Sequence, residues 1–319
     1  MPLVAGIDEA GYGPTLGPLV VGATFWNVPP ELVQADYWRL LRDCVRRAAR
    51  GGQWRLAVND SKAIYNRKKG LSTLERPVLA FASAAGLKCA TLSTLLAQLG
   101  MPANAQNDLP WYRDLGLPLP TDPTRSKFDA VALRLKRAMA DVGVVCCGLR
   151  AAVVTERRFN QRVAGTRNKG AVLLEQVLRL IQTAGQQAGE QNLIVRVDRI
   201  GGRSNYRPLL AAAFPERHLH VLAVSDTCSR YRLASRTNDW LIEFAVAADE
   251  HHLPVALASM LAKYVREVLM ERFNAYWRQQ LPTLRATAGY YTDARRFLAE
   301  IEPVLATAGV PPEHFVRSR

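Results

Sequence analysis

The apolar residues of this chain fall into short runs, and several of those runs stop at an acid. Leu3-Val4-Ala5-Gly6-Ile7 is closed by Asp8-Glu9 and reads as a strand over residues 3–8. Gly11, Gly13, Pro14 and Gly17 make a turn, and Leu19 to Trp26 reads as the second strand of a hairpin. Residues 31–50, with Trp38, Leu40, Leu41 and Val45 among arginines, predict a helix. Val58 to Lys62 is a polar turn, and a basic stretch with Arg67, Lys68 and Lys69 follows. Leu79 to Leu99 mixes short apolar runs. Pro102, Pro110, Pro118, Pro120 and Pro123 predict a long irregular excursion, so an insertion or subdomain is expected near residues 77–125.

Lys127 to Met139 resumes helical spacing, and Val142 to Val154 predicts a strand. Val172, Leu173, Val177, Leu178, Leu180 and Ile181 mark a buried helix face. Leu193 to Val197 is a strand that ends in Asp198, and Leu219 to Val224 is another strand. Trp240 to Val246 runs into Asp249-Glu250. A long amphipathic helix follows, with Leu257, Met260, Leu261, Tyr264, Val265, Val268, Leu269 and Phe273 on one stripe. Ser259 and Lys263, four residues apart, share a different face. The remaining segment, 280–319, holds Gly289-Tyr290-Tyr291-Thr292, a further helix and His314-Phe315-Val316-Arg317. A hairpin followed by alternating helices and strands predicts an α/β or α+β fold around a mixed sheet.

Composition narrows the partners. At 319 residues and 49% hydrophobic, the chain can bury a core as one large domain or two small ones. A formal net charge of +14 favours a polyanionic partner, either nucleic acid or an anionic membrane. No basic amphipathic helix with an exposed apolar face is apparent, so no membrane partner is expected. No stretch approaches the ~18 apolar residues of a membrane span, and no signal peptide is apparent. The five cysteines are odd in number and include no C-x-x-C pair, so neither zinc spacing nor a disulfide framework is expected. A soluble cytoplasmic protein is the expectation.

Three apolar strands thus lead into acids: Asp8-Glu9, Asp198 and Asp249. Carboxylates are hard oxygen ligands for divalent cations. Two such cations about 4 Å apart can activate water and stabilise a leaving oxygen in phosphodiester cleavage. Crowded without a cation, the acids would repel one another and shift their pKa values. In a +14 protein the combination fits a nuclease, with bases holding the backbone and acids holding metal. Each acid taken singly could instead cap a strand or pair with an arginine.

Gly6-Ile7-Asp8-Glu9-Ala10-Gly11-Tyr12-Gly13-Pro14 resembles the opening motif of the type 2 ribonucleases H, the ribonuclease HII and HIII family. Asn59-Asp60-Ser61-Lys62 is similar to that family's N-D-S-K element, and Val195-Arg196-Val197-Asp198 to its third acidic strand. Asp249 followed by Ala258-Ser259-Met260-Leu261-Ala262-Lys263 resembles its acid and A-S-I-[IL]-A-K, at the family's interval. Gly289 to Thr292 resembles its G-Y-[GP]-T, and His314 to Arg317 its closing basic segment. These motifs occur in order from residue 6 to residue 317.

The resemblance implies a ribonuclease H-like α/β fold: a central mixed five-stranded sheet flanked by helices, with a helical segment near 280–319. The whole chain would be one catalytic domain. Asp8, Glu9, Asp198 and Asp249 would be the catalytic metal ligands, holding two Mg²⁺ or Mn²⁺ ions. The activity implied is hydrolysis of the RNA strand of an RNA/DNA hybrid to 5′-phosphate and 3′-hydroxyl ends, by a monomer. Gly11, Tyr12 and Gly13 would lie at the ribose 2′-hydroxyl and Tyr290 on a neighbouring sugar. Asn59, Ser61, Lys62, Ser259 and Lys263 would hold the substrate. Arg203, Tyr206, Arg207 and Arg230-Tyr231-Arg232 interleave bases with aromatics, as backbone-tracking surfaces do, and equally suit a plain basic surface. Tyr12 departs from the family's usual Arg, which bears on cleavage at a single embedded ribonucleotide. The alternatives are a hybrid- or duplex-binding protein without turnover, and a nuclease of the same fold acting on another nucleic-acid structure.

Overall fold

Three parallel strands form the centre of the sheet, two of them carrying acids at their ends, and the rest of the sheet is built outward from them. The computed structural model describes residues 1–48, 54–65, 70–121 and 128–318. In chain order the first elements are β1 (Leu3–Ala10), β2 (Leu19–Asn27), α1 (Tyr37–Leu40), β3 (Val45–Arg46), β4 (Leu56–Ala57) and α2 (Ser61–Ile64). Next come α3 (Ser72–Ala84), α4 (Leu92–Leu99), α5 (Ala103–Gln106), α6 (Phe128–Asp141), β5 (Val145–Val154), α7 (Glu156–Thr166) and α8 (Lys169–Ala188). Then follow β6 (Leu193–Asp198), α9 (Arg207–Ala213), β7 (His218–Val224), β8 (Cys228–Ala234) and β9 (Asp239–Ala245). The last are α10 (Ala248–His251), α11 (Leu253–Gln280), α12 (Tyr291–Ile301), α13 (Leu305–Ala308) and α14 (Pro312–Phe315).

The main sheet has the order β5-β2-β1-β6-β9-β8-β7. β1, β6 and β9 run parallel, while β2, β5, β8 and β7 join antiparallel. This is the predicted mixed sheet flanked by helices, with seven strands where five were expected. Among the strands not read from the sequence is β8. Its Arg230-Tyr231-Arg232 is an ordinary alternation across a pleat, not a surface of interleaved bases and aromatics. Tyr231 is buried, and its hydroxyl accepts from the Tyr206 amide at 2.9 Å. Tyr206 is buried too, stacked on Phe244 with ring centroids 3.7 Å apart. Both tyrosines are therefore core. Arg230 and Arg232 face solvent and pair with Glu243 at 2.6 Å and Asp239 at 2.8 Å.

Helices cover both sheet faces. α7, α8 and α9 pack on the side of Leu3, Ala5 and Ile7, whereas α3, α4, α6 and α11 pack on the side of Val4 and Val20. β1 is thus buried on both faces, which is why it reads as a continuous apolar run. The helix predicted over 31–50 does not form. Asp36 caps the four-residue α1, accepting from the Trp38 amide at 2.9 Å, and the chain then turns into β3. Trp38 anchors this loop by donating its indole N–H to Val58 O at 2.7 Å, so its apolar residues are buried without helical spacing. Arg67, Lys68, Lys69 and Pro123 lie outside the described residues.

The predicted stripe of α11 is buried, but so are its other faces, including Pro254, Ala258, Ser259, Ala262 and Arg266. The helix is central rather than amphipathic. One side lies on β1 and β2, and α3 and the 110–112 turn close over the other. Trp111 meets Phe273 edge-on at 4.9 Å, so the proline-rich excursion seals the far half of α11. Among the described residues no helix is long and apolar enough to cross a membrane.

The crossing of α11 over β1 and β2 is set by two glycines. A Cβ at Gly6 would fall on the Pro254 carbonyl group, and one at Gly22 on Ala258 O, both well inside van der Waals contact with backbone. Thr24 fixes the same crossing by donating its hydroxyl to Pro254 O at 2.8 Å. Gly6→Ala is expected to cost about 2–3 kcal/mol through overpacking, lowering Tm by roughly 4–12 °C in a thermal melt. An unchanged Tm would show that the helix can shift freely.

Candidate active site

The parallel register delivers the acids to one end of the sheet. Ile7 pairs with Val197, so the next residues, Asp8 and Asp198, stand level at the carboxyl ends of β1 and β6. Such strand ends are where open α/β sheets place their ligands. Strand alternation puts Asp8 on the face of Gly6 and Asp198 on that of Arg196, both toward α11, and turns Glu9 to the opposite face. Asp249 arrives differently from its predicted place at a strand end. β9 stops at Ala245, Ala247 adopts a left-handed conformation (φ 53°), and the chain folds back into α10. The Ala248 amide then donates to Asp198 Oδ1 at 2.9 Å, which ties the two acids' segments together.

Burial and mutual repulsion perturb all four carboxyls. Asp8 is held well above the ordinary carboxylate range, by burial first and then by the charges of Glu9 and Asp198. Burial and Asp198 lift Glu9 to about 7. Burial, Asp198 and Asp60 lift Asp249 to about 7. Asp198 is raised by burial, against the Ala248 amide and Lys62. Lys62 is the opposing charge. Partial burial lowers its pKa, but Asp60, Asp8, Asp249 and Asp198 outweigh that and raise it.

α2 places the next group. Asn59 Oδ1 accepts from the Asp60 amide, and Asp60 Oδ1 from the Lys62 amide, each at 3.0 Å, so this turn caps α2. Ser61 is buried, and Ser259 Oγ donates to its Oγ at 3.1 Å. Ser259 also stands beside the Asp8 carboxyl and opposes the rise of its pKa. Lys263 stands apart: its Nζ is 2.8 Å from Glu267 and 5.1 Å from the Tyr65 ring centroid.

Beside the acids, the Gly11–Gly13 turn is clamped from three sides. Gly11 has φ +88°, and a Cβ there would strike Pro18 O and the Arg266 side chain. Gly289 O accepts from the Thr15 and Leu16 amides at 2.8 and 3.1 Å, so the loop bearing Tyr290 is clipped to the turn. Tyr290 is about half exposed, with the Arg266 guanidinium 5.9 Å from its ring centroid. Arg266 is fully buried, bonded to Glu267 at 2.9 Å and to Ala288 O at 3.0 Å. Arg317 donates to Gly11 O, and to Tyr12 O at 3.1 Å.

The structure thus gathers Asp8, Glu9, Asp198, Asp249, Ser61, Lys62 and Ser259 around one centre, with Asn59 behind α2. Gly11, Tyr12, Gly13 and Tyr290 form a neighbouring cluster. Sequence reasoning missed three residues. Asp60 stood inside a quoted motif but was given no role, although it was a fifth acid beside a lysine. Arg317 likewise stood inside a quoted segment without a role, and Arg266 carried no usable signal, because a buried arginine and a solvated one look alike in sequence.

Among the described residues no three His, Cys, Asp or Glu side chains are disposed so that they could hold a metal ion as they stand. Asp60 stands close enough to raise the Asp249 pKa, and Asp8 Oδ1 takes the Glu9 amide at 2.7 Å. The donor chemistry itself fits a hard divalent cation, which takes carboxylate oxygens and offsets the burial and repulsion that raise these pKa values.

No family model matches the chain, and no curated protein matches it. Among solved structures it is similar to the PCNA:RNase HII complex from Archaeoglobus fulgidus, at 17% identity over 99% of this chain and 94% of the matched chain, with a TM-score of 0.43. It is also similar to ribonuclease H2 from Pyrococcus horikoshii OT3, at 15% identity over 99% and 92%, with a TM-score of 0.43. A third likeness is RNase H3 from Aquifex aeolicus, at 13% identity over 98% and 71%, with a TM-score of 0.38. At these scores they are likenesses only.

Proposed function

We propose that this protein is a divalent-cation-dependent endonuclease of the type 2 ribonuclease H kind, hydrolysing the RNA strand of RNA/DNA hybrids to 5′-phosphate and 3′-hydroxyl ends. One observation carries the reading: β1, β6 and the β9–α10 turn bring Asp8, Glu9, Asp198 and Asp249 to one sheet end, with Lys62 facing them. Asp8, Glu9, Asp198 and Asp249 would hold the cations, Mg²⁺ or Mn²⁺. Bound there, such a pair lowers the pKa of a water and stabilises the leaving oxygen of a phosphodiester.

The chain's own residues supply the rest. Lys62 offsets the charge of the acids and stands ready for a substrate phosphate. Ser259, donating to Ser61, closes the α11 side of Asp8. The backbone of the clamped Gly11–Gly13 turn can approach a ribose closely, and the 2′-hydroxyl is what separates RNA from DNA at a site. The +14 charge serves affinity for the duplex backbone.

A substrate panel tests the proposal. Purified protein with Mg²⁺ or Mn²⁺ is given an RNA/DNA hybrid, a DNA duplex with one embedded ribonucleotide, and an all-DNA duplex. Cleavage of the hybrid, absent in EDTA and absent on all-DNA, is the expected result. Binding without metal-dependent cleavage of any of the three would leave a binding protein instead, and cleavage of all-DNA would assign a different nuclease.

A further inference from the structure

A cleft of about 300 Å³ opens beside the Gly11–Gly13 turn. Tyr12, Thr15, Lys169, Tyr291 and Ser318 line it, over a floor that includes the buried Phe159. Lys169 opens α8, and its Nζ lies 5.3 Å from the centroid of the Tyr12 ring. Across the cleft Tyr291 is about half exposed. Tyr291 also lines a second cleft of about 310 Å³ with Thr292, Arg295 and Arg296, so it forms the wall between the two.

Of the cations along this path, Arg296 is engaged by Asp293 at 2.6 Å and Glu300 at 2.8 Å. Neither Lys169 nor Arg295 has a carboxylate partner among the described residues. Each instead lies by an aromatic ring, Lys169 at Tyr12 and Arg295 at Tyr291, the latter at 5.9 Å. Unneutralised cations alternating with aromatic faces along an open groove are what a single nucleic-acid strand needs. The cations meet successive phosphates, and the rings accept any base or sugar face. An enclosed anion site would instead converge several donors on one point. At the small end of ligand-pocket volumes, about 300–1,000 Å³, each cleft suits one nucleotide unit.

We propose that the Tyr12–Lys169–Tyr291 cleft is a strand-binding subsite, taking one nucleotide with its phosphate at Lys169 and its base or sugar against Tyr12 and Tyr291, and that the strand continues over Tyr291 toward Arg295. The subsite rests on the proposed function only for the identity of the nucleic acid. It does not require turnover.

The test is equilibrium binding by fluorescence anisotropy in EDTA, so that nothing is cut, over a series of salt concentrations. The probes are a labelled RNA/DNA hybrid, a DNA duplex and single-stranded DNA. Lys169→Ala is expected to weaken binding about 5–10-fold and to reduce the slope of log K against log salt by about 1. Lys169→Arg should restore the slope. Tyr291→Ala should weaken binding by about 5-fold or more with the slope unchanged, as loss of stacking does. Lys136→Ala, on the exposed face of α6, should change neither. A Lys169→Ala slope equal to wild type, or no binding of any probe at low salt, would overturn the proposal. Its failure is distinguishable from that of the proposed function. A protein that cuts nothing yet loses slope at Lys169 keeps the subsite. One that cuts hybrids while Lys169→Ala binds normally keeps only the activity.

Discussion

Asp8→Asn is expected to reduce metal-dependent cleavage by roughly 10³-fold or more, the effect of losing about 4 kcal/mol of transition-state stabilisation. Binding to a hybrid in EDTA should stay within about twofold, since Asp8 is buried behind the surface the duplex would touch. The same variant has a second expected effect that needs no substrate. Carboxyls whose folded pKa lies above the unfolded value favour the folded state when protonated. That contribution is fully present below about pH 4 and is lost as pH rises through the folded value, about 7 for Glu9 and Asp249. Metal-free wild-type protein should therefore lose several degrees of Tm between pH 5 and pH 8. Asp8→Asn removes one of these raised carboxyls, and its own titration with it, and should flatten that profile. Mn²⁺ at pH 8 should raise the wild-type Tm by several degrees, through preferential binding to the folded state, and the variant's by less. Full cleavage by Asp8→Asn would remove these acids from the chemistry. A flat wild-type profile would show that these carboxyls are not held above their ordinary range.

How far the site was legible depended on how each residue is held. Asp8, Glu9 and Asp198 stood out because an apolar strand that ends in acid is unusual, and strand parity brings them level. Asp249 was visible as an acid, but its position was not, since it depends on a left-handed Ala247 that no residue preference announces. β8 was misread because Arg230 and Arg232 advertise charge while Tyr231 between them is core. The alternation was the strand signal, but the charges suggested a binding surface. The 31–50 segment failed the other way. Its apolar residues are buried, but through a cap at Asp36 and an indole anchor at Trp38 rather than a helical period. In α11 the predicted stripe is present, yet Ser259, Arg266 and Asn274 on other faces are buried with internal partners. Periodicity cannot see tertiary partners, so a helix enclosed on every side looked amphipathic.

Those unseen partners matter most at Arg317, where we expect the largest loss of stability. Arg317 is almost fully buried, with its guanidinium 3.9 Å from the Phe159 ring centroid and bonded to Gly11 O and Tyr12 O. Its own amide donates to Thr15 O at 2.8 Å. Burial, with Arg266 nearby, lowers its pKa to about 10, so it stays charged at neutral pH. Glu156, wholly buried, takes the Tyr112 hydroxyl at 2.8 Å on one oxygen. Its other oxygen has no partner, and its pKa is raised to about 7 by burial, with Arg317 among the groups that oppose the rise. Arg317→Met would leave the Gly11 and Tyr12 carbonyls without their donor and Glu156 without a nearby positive charge. Leaving buried acceptors unsatisfied costs about 1–3 kcal/mol each, here expected at about 3 in all because Glu156 can take up a proton. A Tm fall of roughly 6–12 °C should follow. The activity should fall as well, by about 10-fold or more in kcat, because an unbraced turn misplaces the groups it presents to the ribose. Adding Glu156→Gln separates the two roles. The amide needs no counter-charge, so the double variant should recover part of the lost Tm, yet kcat should stay low because the Gly11 and Tyr12 carbonyls are still unheld. Recovery of both quantities together would make Arg317 a counter-ion for Glu156 and nothing more. Loss of Tm with kcat intact would show that the turn keeps its shape without it.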